Sequence, residues 1–347
     1  MGARRTTDER FMARAVELSR GGFPAPNPHV GCVLVKDGEI VGEGFHEQAG
    51  MPHAEVQALR QAGTQAAGGT CYVTLEPCNH HGRTPPCSRA LIEAGVTRVV
   101  YAVVDPNPTA QGGGEALAEA GVKVESGVLA EEAAAVNERF LVSQEKGRPF
   151  VMLKLALSLD GFLTRLPGKP TAITGEAVRN EVHRMRAHMG AVLVGAGTVR
   201  ADDPQLTVRS FKPPFQPIRV VLGRQNLTGN ERVFDDEAET LWLVRTANNK
   251  KQTEVQDEDL ASAALRLLAD RGTNGVLVEG GAQTARSFYE LGLVDALELF
   301  YGPVVFGEGT PWATGRLSAQ KWRLAKQARL TNDAWLSYRA VGGRSAT

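Results

Sequence analysis

Apolar residues recur at helical intervals over 8–20, at Phe11, Met12, Ala15, Val16 and Leu18, and the pattern stops at Gly21-Gly22. That spacing predicts an amphipathic helix closed by glycine. Short apolar runs follow. Segments 31–35 and 39–44 predict two strands joined by the turn Lys36-Asp37-Gly38, a hairpin signal. Beyond them, 53–62 predicts a helix, 70–75 a buried strand, 86–94 a helix stopped by Gly95, and 96–104 a strand. A short helix is expected at 114–120, a strand at 122–125, and one alanine-rich helix over 130–142.

A second alternating series starts at Phe150, with strands predicted at 150–157, 191–195, 218–222, 241–244, 275–279 and 296–301 and helices at 176–187, 261–270 and 282–291. The polar run 246–259 reads as a solvated loop, and no internal repeat is visible. Strands alternating with helices predict α/β layers, each with a sheet between helices. At 347 residues the chain exceeds the size at which single cores usually stop growing. The polar segment 144–149, with Gly147 and Pro149, marks the boundary, which places one domain at 1–146 and a second at 149–347.

Composition narrows the setting. Apolar residues make up 42% and charged residues 22%, and no stretch has the roughly 18 apolar residues of a membrane span, so a soluble chain with no membrane partner is expected. Met1 to Arg10 lacks the apolar core of a secretory signal, which makes the cytoplasm the expected compartment. Four cysteines in a chain of this length do not suggest a disulfide scaffold. The first 146 residues carry 13 basic and 18 acidic side chains and the remainder 26 and 21, formal charges of −5 and +5. A domain that grips nucleic acid needs a basic footprint. The first half has none, and no nucleic-acid partner is expected.

Candidate chemistry concentrates in that first half. His53, Cys78 and Cys87 are the residue types that bind zinc, and three protein ligands with an open fourth position is the catalytic arrangement. Cys78 and Cys87 are each expected where the chain enters a helix, which favours thiolate. Glu55 lies two residues after His53, about 200° around an ideal helix. A position at the helix start would release both side chains from that geometry. Zinc lowers the pKa of water and a carboxylate such as Glu55 can relay its proton to a departing amine. His-Ala-Glu followed by Pro77-Cys78 resembles the zinc deaminase pattern H-x-E then P-C-x-x-C, except that eight residues separate the cysteines here. Cys32 and Cys71 lie in apolar strands and read as core. His80 and His81 compete as metal ligands by proximity, but a fourth ligand would block the open position, so they are candidate substrate contacts. These features leave open a deaminase of a small or a polymeric base, or a non-catalytic zinc protein.

The segment from Thr74 to Cys87, with Pro26-Asn27-Pro28-His29-Val30-Gly31-Cys32, Gly42-Glu43-Gly44-Phe45-His46 and Asp105-Pro106-Asn107-Pro108, resembles the deaminase domain of the bifunctional riboflavin biosynthesis deaminase/reductases. Lys154 to Gly161, Ala191 to Pro204, Leu206 to Arg209 and Val278-Glu-Gly-Gly281 look like the reductase domain of the same family. The resemblance implies a cytidine deaminase-like three-layer α/β/α domain followed by a dihydrofolate reductase-like α/β domain. It implies zinc and NADPH as cofactors, a phosphorylated pyrimidine as the small-molecule substrate, and a homo-oligomer. Deamination would precede reduction of the ribosyl group to ribityl.

Carried onto this sequence, the resemblance puts Asn27, His46, His80 and Arg83 at the pyrimidine or its phosphate. Leu157, Thr198, Asp202 and the stretch Gly280-Gly281 would contact NADPH. Arg186, Leu206, Arg209 and Glu279 would hold the sugar phosphate, with Lys154 and Glu279 near the reacting ribose. A Gly-Gly pair between a strand and a helix lets backbone N–H groups approach phosphate, whereas no G-x-G-x-x-G follows a predicted strand. Ala172 stands where family members often carry Trp.

Overall fold

Thr6 and Glu9 begin the first helix, α1 (Thr7–Ser19), each side chain bonding the other's backbone N–H. The computed structural model describes residues 5–80, 85–166, 168–169, 171–223, 226–313 and 319–341. They divide into two units, Met1–Lys146 and Gly147–Thr347.

In the first unit α1 is followed by β1 (Gly31–Lys36), β2 (Glu39–Phe45), α2 (Ala54–Ala62), β3 (Thr70–Leu75), α3 (Cys87–Glu93) and β4 (Arg98–Val103). Then come α4 (Gly113–Glu119), β5 (Lys123–Ser126), α5 (Ala130–Val136) and α6 (Glu138–Lys146). The predicted hairpin is present, with Asp37 at φ 52° and Gly38 at φ 83°, the pair of positive angles that a tight two-residue hairpin loop needs. The sheet order is β2-β1-β3-β4-β5, antiparallel at β2-β1 and β1-β3 and parallel thereafter. Alternation along the strands fills two cores. Cys32, Leu34, Cys71 and Val73 pack with Ala54, Ala58, Leu91 and Leu117, while Val33, Val35, Tyr72 and Val100 pack with Phe11, Met12, Ala15 and Ala133. Three layers result, and Cys32 and Cys71 are core residues as expected.

The helix expected over 130–142 is two helices broken at Asn137. Its buried amide accepts the His29 backbone N–H and donates to the His29 carbonyl, both at 2.7 Å. Pairing a buried backbone outweighs the propensity of an alanine run, because an unpaired buried amide costs on the order of 1–3 kcal/mol.

The second unit runs β6 (Phe150–Leu157), β7 (Phe162–Thr164), α7 (Glu176–Met189), β8 (Ala191–Gly195), α8 (Ala196–Asp202), β9 (Ile218–Leu222), β10 (Thr240–Val244) and β11 (Gln252–Glu254). It continues with α9 (Leu260–Asp270), β12 (Gly275–Val278), α10 (Ala282–Glu290), β13 (Ala296–Tyr301), β14 (Thr310–Pro311), β15 (Lys321–Leu330) and β16 (Asp333–Val341). The main sheet has the order β11-β10-β9-β8-β12-β6-β13-β16-β15. It is parallel from β11 to β13, and β16 and β15 add antiparallel. The inner strands are apolar nearly throughout because both faces are covered. Leu193, Val220 and Leu243 face the core under α9 and α10, whereas Val192, Val194, Val221 and Trp242 face the core that includes Val199 of α8.

The polar run 246–259 contains the edge strand β11, so its reading as loop alone is corrected. One side of an edge strand faces solvent, and its ladder is made by backbone groups. The hairpin β15–β16 and the short helix α8 were likewise absent from the sequence expectations.

Candidate active sites

In the first unit, three chain segments converge on one point. His53 precedes the first turn of α2 with extended backbone, φ −68° and ψ 161°. Its ring is therefore free of the two helical steps, about 200°, that would separate it from Glu55. Cys78 sits in the loop after β3, and Cys87 is the first residue of α3. Only Cys87 is at a helix start, contrary to the expectation for Cys78. The Cys78 sulfur instead accepts the Cys87 backbone N–H at 3.4 Å.

The donor atoms of His53, Cys78 and Cys87 all lie within 4.8 Å of one another. His53 Nδ1 is 3.2 Å from Cys87 Sγ and 3.6 Å from Cys78 Sγ. Tetrahedral zinc with Zn–N near 2.1 Å and Zn–S near 2.3 Å separates its ligands by roughly 3.6 Å. The trio fits zinc, and among the described residues no fourth His, Cys, Asp or Glu joins it.

Electrostatics agree with a cation site. The Cys78 thiol is drawn down to about 4, first by a hydrogen bond from the Cys87 thiol and, against burial, by His53. The Cys78 contact raises His53. Burial pushes Glu55 up to about 7, and the Cys78 charge adds to the rise. A divalent ion among the three ligands lowers all three, reinforcing the shift at Cys78 and opposing those at His53 and Glu55. Glu55 is 3% exposed and in contact with the Cys87 thiol.

The loop carrying Cys78 is held by a residue that sequence reasoning passed over. The buried Glu76 carboxylate accepts the backbone N–H groups of Asp105, Gly112 and Gly114 at 3.2, 3.1 and 2.9 Å. Gly113 lies so close to Pro77 that a Cβ there would overlap the Pro77 carbonyl oxygen. The Gly112-Gly113-Gly114 run was the available signal. Ser88 Oγ donates to Asn79 Oδ1 at 2.9 Å and ties α3 to the same loop.

Asn27 and His46 join the site. His46 Nδ1 is 3.2 Å from the Pro52 carbonyl and Nε2 is 2.9 Å from Asn27 Nδ2. The carbonyl requires Nδ1 to carry the proton, so Nε2 accepts from the Asn27 amide. Burial lowers the His46 pKa, which favours the neutral ring. The rings of His46 and His53 meet edge to face at 5.4 Å. His80 is exposed in the metal loop and outside the ligand trio. Arg83 and His81 lie outside the described residues.

In the second unit Glu279, just past β12, organises two cations. Arg186 Nε and Nη2 donate to its two oxygens at 2.6 and 3.2 Å, and Lys154 Nζ is 3.9 Å away. Burial works against the Glu279 charge, but Arg186 and Lys154 hold its carboxyl below the ordinary range. Burial lowers the Lys154 pKa, and Glu279 opposes that shift. Arg186 Nη1 also donates to the Thr207 carbonyl at 2.9 Å, and Arg209 Nη1 lies 3.3 Å from Thr207 Oγ1. Lys154, Arg186, Arg209 and Glu279 therefore form one group. The Leu206 side chain is buried in the core, so it can offer a substrate only its backbone. Leu157 is likewise core.

Beside this group lies a cavity of about 770 Å³ lined by Thr198 and Asp202 of α8, Gly281 before α10, and residues beyond β9 and β10. The Gly281 N–H donates to Thr198 Oγ1 at 3.1 Å. A Cβ at Gly280 would strike the Thr284 side chain within 2.4–2.9 Å, so the turn into α10 requires glycine there. The cavity has the size of a dinucleotide site and open backbone at helix starts suited to phosphate. Ala172 is exposed and outside the lining.

Comparison with known proteins gives both units counterparts. The cytidine and deoxycytidylate deaminase zinc-binding region matches residues 5–103, and the RibD C-terminal domain matches 149–336. The chain is 44% identical over 327 residues to riboflavin biosynthesis protein RibD of Escherichia coli, covering 86% of this chain and 89% of that protein. It is 46% identical over 306 residues to the Mycobacterium tuberculosis RibD, covering 86% of each. The solved structure of Acinetobacter baumannii RibD superposes with a TM-score of 0.90 at 38% identity, covering 97% of this chain and 99% of that one. A Thermotoga maritima diaminohydroxyphosphoribosylaminopyrimidine deaminase/5-amino-6-(5-phosphoribosylamino)uracil reductase gives a TM-score of 0.88 at 38% identity, covering 96% and 99%.

Proposed function

The chain belongs to the RibD family, the bifunctional deaminase/reductases of riboflavin biosynthesis, and from that premise we propose which residues carry each reaction and on what substrate. Its deaminase is a zinc enzyme and its reductase uses NADPH. The substrate of the first reaction is 2,5-diamino-6-(5-phosphoribosylamino)pyrimidin-4(3H)-one. Its deaminated product, 5-amino-6-(5-phosphoribosylamino)uracil, is reduced at the ribosyl group to give ribityl.

His53, Cys78 and Cys87 hold the zinc, which when bound supplies a Lewis acid that makes water nucleophilic at neutral pH. Glu55 is the general acid–base. Its carboxylate takes a proton from the attacking water and delivers one to the departing amine, so that cleavage of the bond from the ring carbon to its exocyclic amino group releases ammonia. Asn27 is orientated by its bond to His46, which leaves its Oδ1 to accept from the pyrimidine. His80 and Arg83 serve the substrate from the metal loop.

NADPH supplies a hydride to the ribosyl C1′, and the second unit aligns and charges the site. Lys154, beside the Glu279 carboxylate, delivers the proton that the opening ring oxygen takes up. Arg186 has three of its five N–H groups committed to Glu279 and Thr207. Its remaining donors and Arg209 take the sugar phosphate beside the Leu206 backbone. Thr198, Asp202, Gly280 and Gly281 border the cofactor, with Leu157 packed beneath. The same reading divides the labour at 1–146 and 149–347 and places a homo-oligomer in the cytoplasm. No described helix is long and apolar enough to cross a membrane.

The observation that carries the deaminase assignment is the convergence of three zinc-type donors within 4.8 Å beside a buried carboxylate. A coupled assay on the intact protein tests the whole reading. Ammonia is expected first and NADPH oxidation second, from the diaminopyrimidine alone. Ammonia without NADPH consumption would refute the reductase assignment. Ammonia from single-stranded nucleic acid with none from the phosphoribosyl pyrimidine would refute the substrate.

A further inference from the structure

The cavity of the second unit has two chemically different ends. Asp202 lines one end, and its charge acts on Lys154. The other end lies beyond β9 and β10 and is lined by Gly223, Arg245, Asp259 and Ala261. Between β6, which carries Lys154, and β10 the sheet steps through β12, β8 and β9. Four spacings of about 4.8 Å make roughly 19 Å across the sheet. With the nicotinamide beside Lys154, an extended dinucleotide brings its adenosine half to the Arg245 end.

Arg245 is set for an anion. Its Nη1 donates to the carbonyls of Val255, Gln256 and Glu258 at 3.5, 3.3 and 2.5 Å. Those bonds orient the guanidinium while leaving Nε and Nη2 without a partner among the described residues. No described carboxylate pairs with it, although the side chain is exposed and lines the cavity. The nearby carboxylate, Asp259, is occupied in starting α9, accepting Ser262 N at 2.8 Å and Ser262 Oγ at 2.7 Å. The other described cations of the lining belong elsewhere. Arg200 is on α8 with Asp202, and Lys169 follows β7.

We propose that Arg245 is the residue that distinguishes NADPH from NADH, by binding the phosphate on the adenosine 2′-oxygen. A planar fork whose Nε/Nη2 edge is unengaged matches a phosphate dianion, and NADH offers only a hydroxyl there. This assignment rests on the reading of the cavity as the NADPH site.

Calorimetric titration of the full chain with NADPH, NADH, 2′,5′-ADP and 5′-AMP tests it without turnover. In Arg245→Ala, NADPH and 2′,5′-ADP should bind roughly 10- to 100-fold more weakly, the loss of a charged hydrogen-bond pair. NADH and 5′-AMP should stay within about twofold, which also reports an intact fold. Arg245→Lys, which retains charge without the fork, should fall between. An undiminished preference for NADPH in Arg245→Ala would overturn the proposal, and so would an equal loss for both dinucleotides, since Arg245 would then only brace its loop. Thr198→Trp, which fills the cavity elsewhere, tests the cavity reading separately. Unaltered binding of both dinucleotides in that variant would remove the cavity reading and this proposal with it.

Discussion

Each unit buries a glutamate at the centre of its charged groups, and the two are pushed in opposite directions. Glu55 is raised to about 7 by burial, with the Cys78 charge adding to the rise and His53 opposing it. Glu279 is also enclosed, but Arg186 and Lys154 hold it below the usual carboxylate range. The same side chain is thus drawn toward its neutral form in one place and toward its charged form in the other, which suits the proton carrier and the fixed charge proposed for them. The difference lies in the neighbours: a pair of thiol groups against a bidentate guanidinium. A group that must gain and lose a proton is best placed near the operating pH, whereas a group that orients cations is best kept ionised.

The sharpest way to break this contrast is Glu55→Gln. Zinc content should be retained while ammonia release falls by about 10²–10⁴-fold, and NADPH oxidation with the deaminated intermediate should continue. Equal loss of both activities would deny the separation of roles. Lys154→Met is expected to slow NADPH oxidation by about 10²-fold with deamination intact, as read in single-turnover measurements. Glu76→Ala, which leaves three backbone N–H groups without their acceptor, should weaken zinc binding by about 10- to 100-fold; competition with a chelator measures this. Asn137→Ala should cost about 1–3 kcal/mol in chemical denaturation, since the His29 backbone loses both bonds.

The smallest effect concerns pH. Glu279 is depressed in the folded chain, so its contribution is fully present above the unfolded carboxylate value and disappears as pH falls through the lower folded value. Unfolding free energies of the wild type and Glu279→Gln, compared between neutral pH and acid, should converge in that window. A constant difference would mean that Glu279 is not held ionised by its cations.

Much of the architecture was readable from local pattern. The apolar run Cys32-Val33-Leu34-Val35 predicted a strand, which the structure places between two cores, and the Asp37-Gly38 turn set its partner. His-Ala-Glu and the two cysteines identified the zinc chemistry, since few other residue types bind that ion. Elements governed by neighbours were not readable. β11 is polar because it lies at an edge, and the alanine run 130–142 breaks where Asn137 finds the His29 backbone.

Residue types and their order determined that this chain has two α/β units, a three-ligand metal set and a carboxylate beside it, because those follow from periodicity and donor chemistry. Only the tertiary structure decided which charges meet. Arg186, Lys154 and Glu279 are separated by up to 125 positions and Glu76 by 38 from Gly114. No spacing rule connects them, and the field at each depends on distance and burial, which exist only once the strands have taken their order in the sheet.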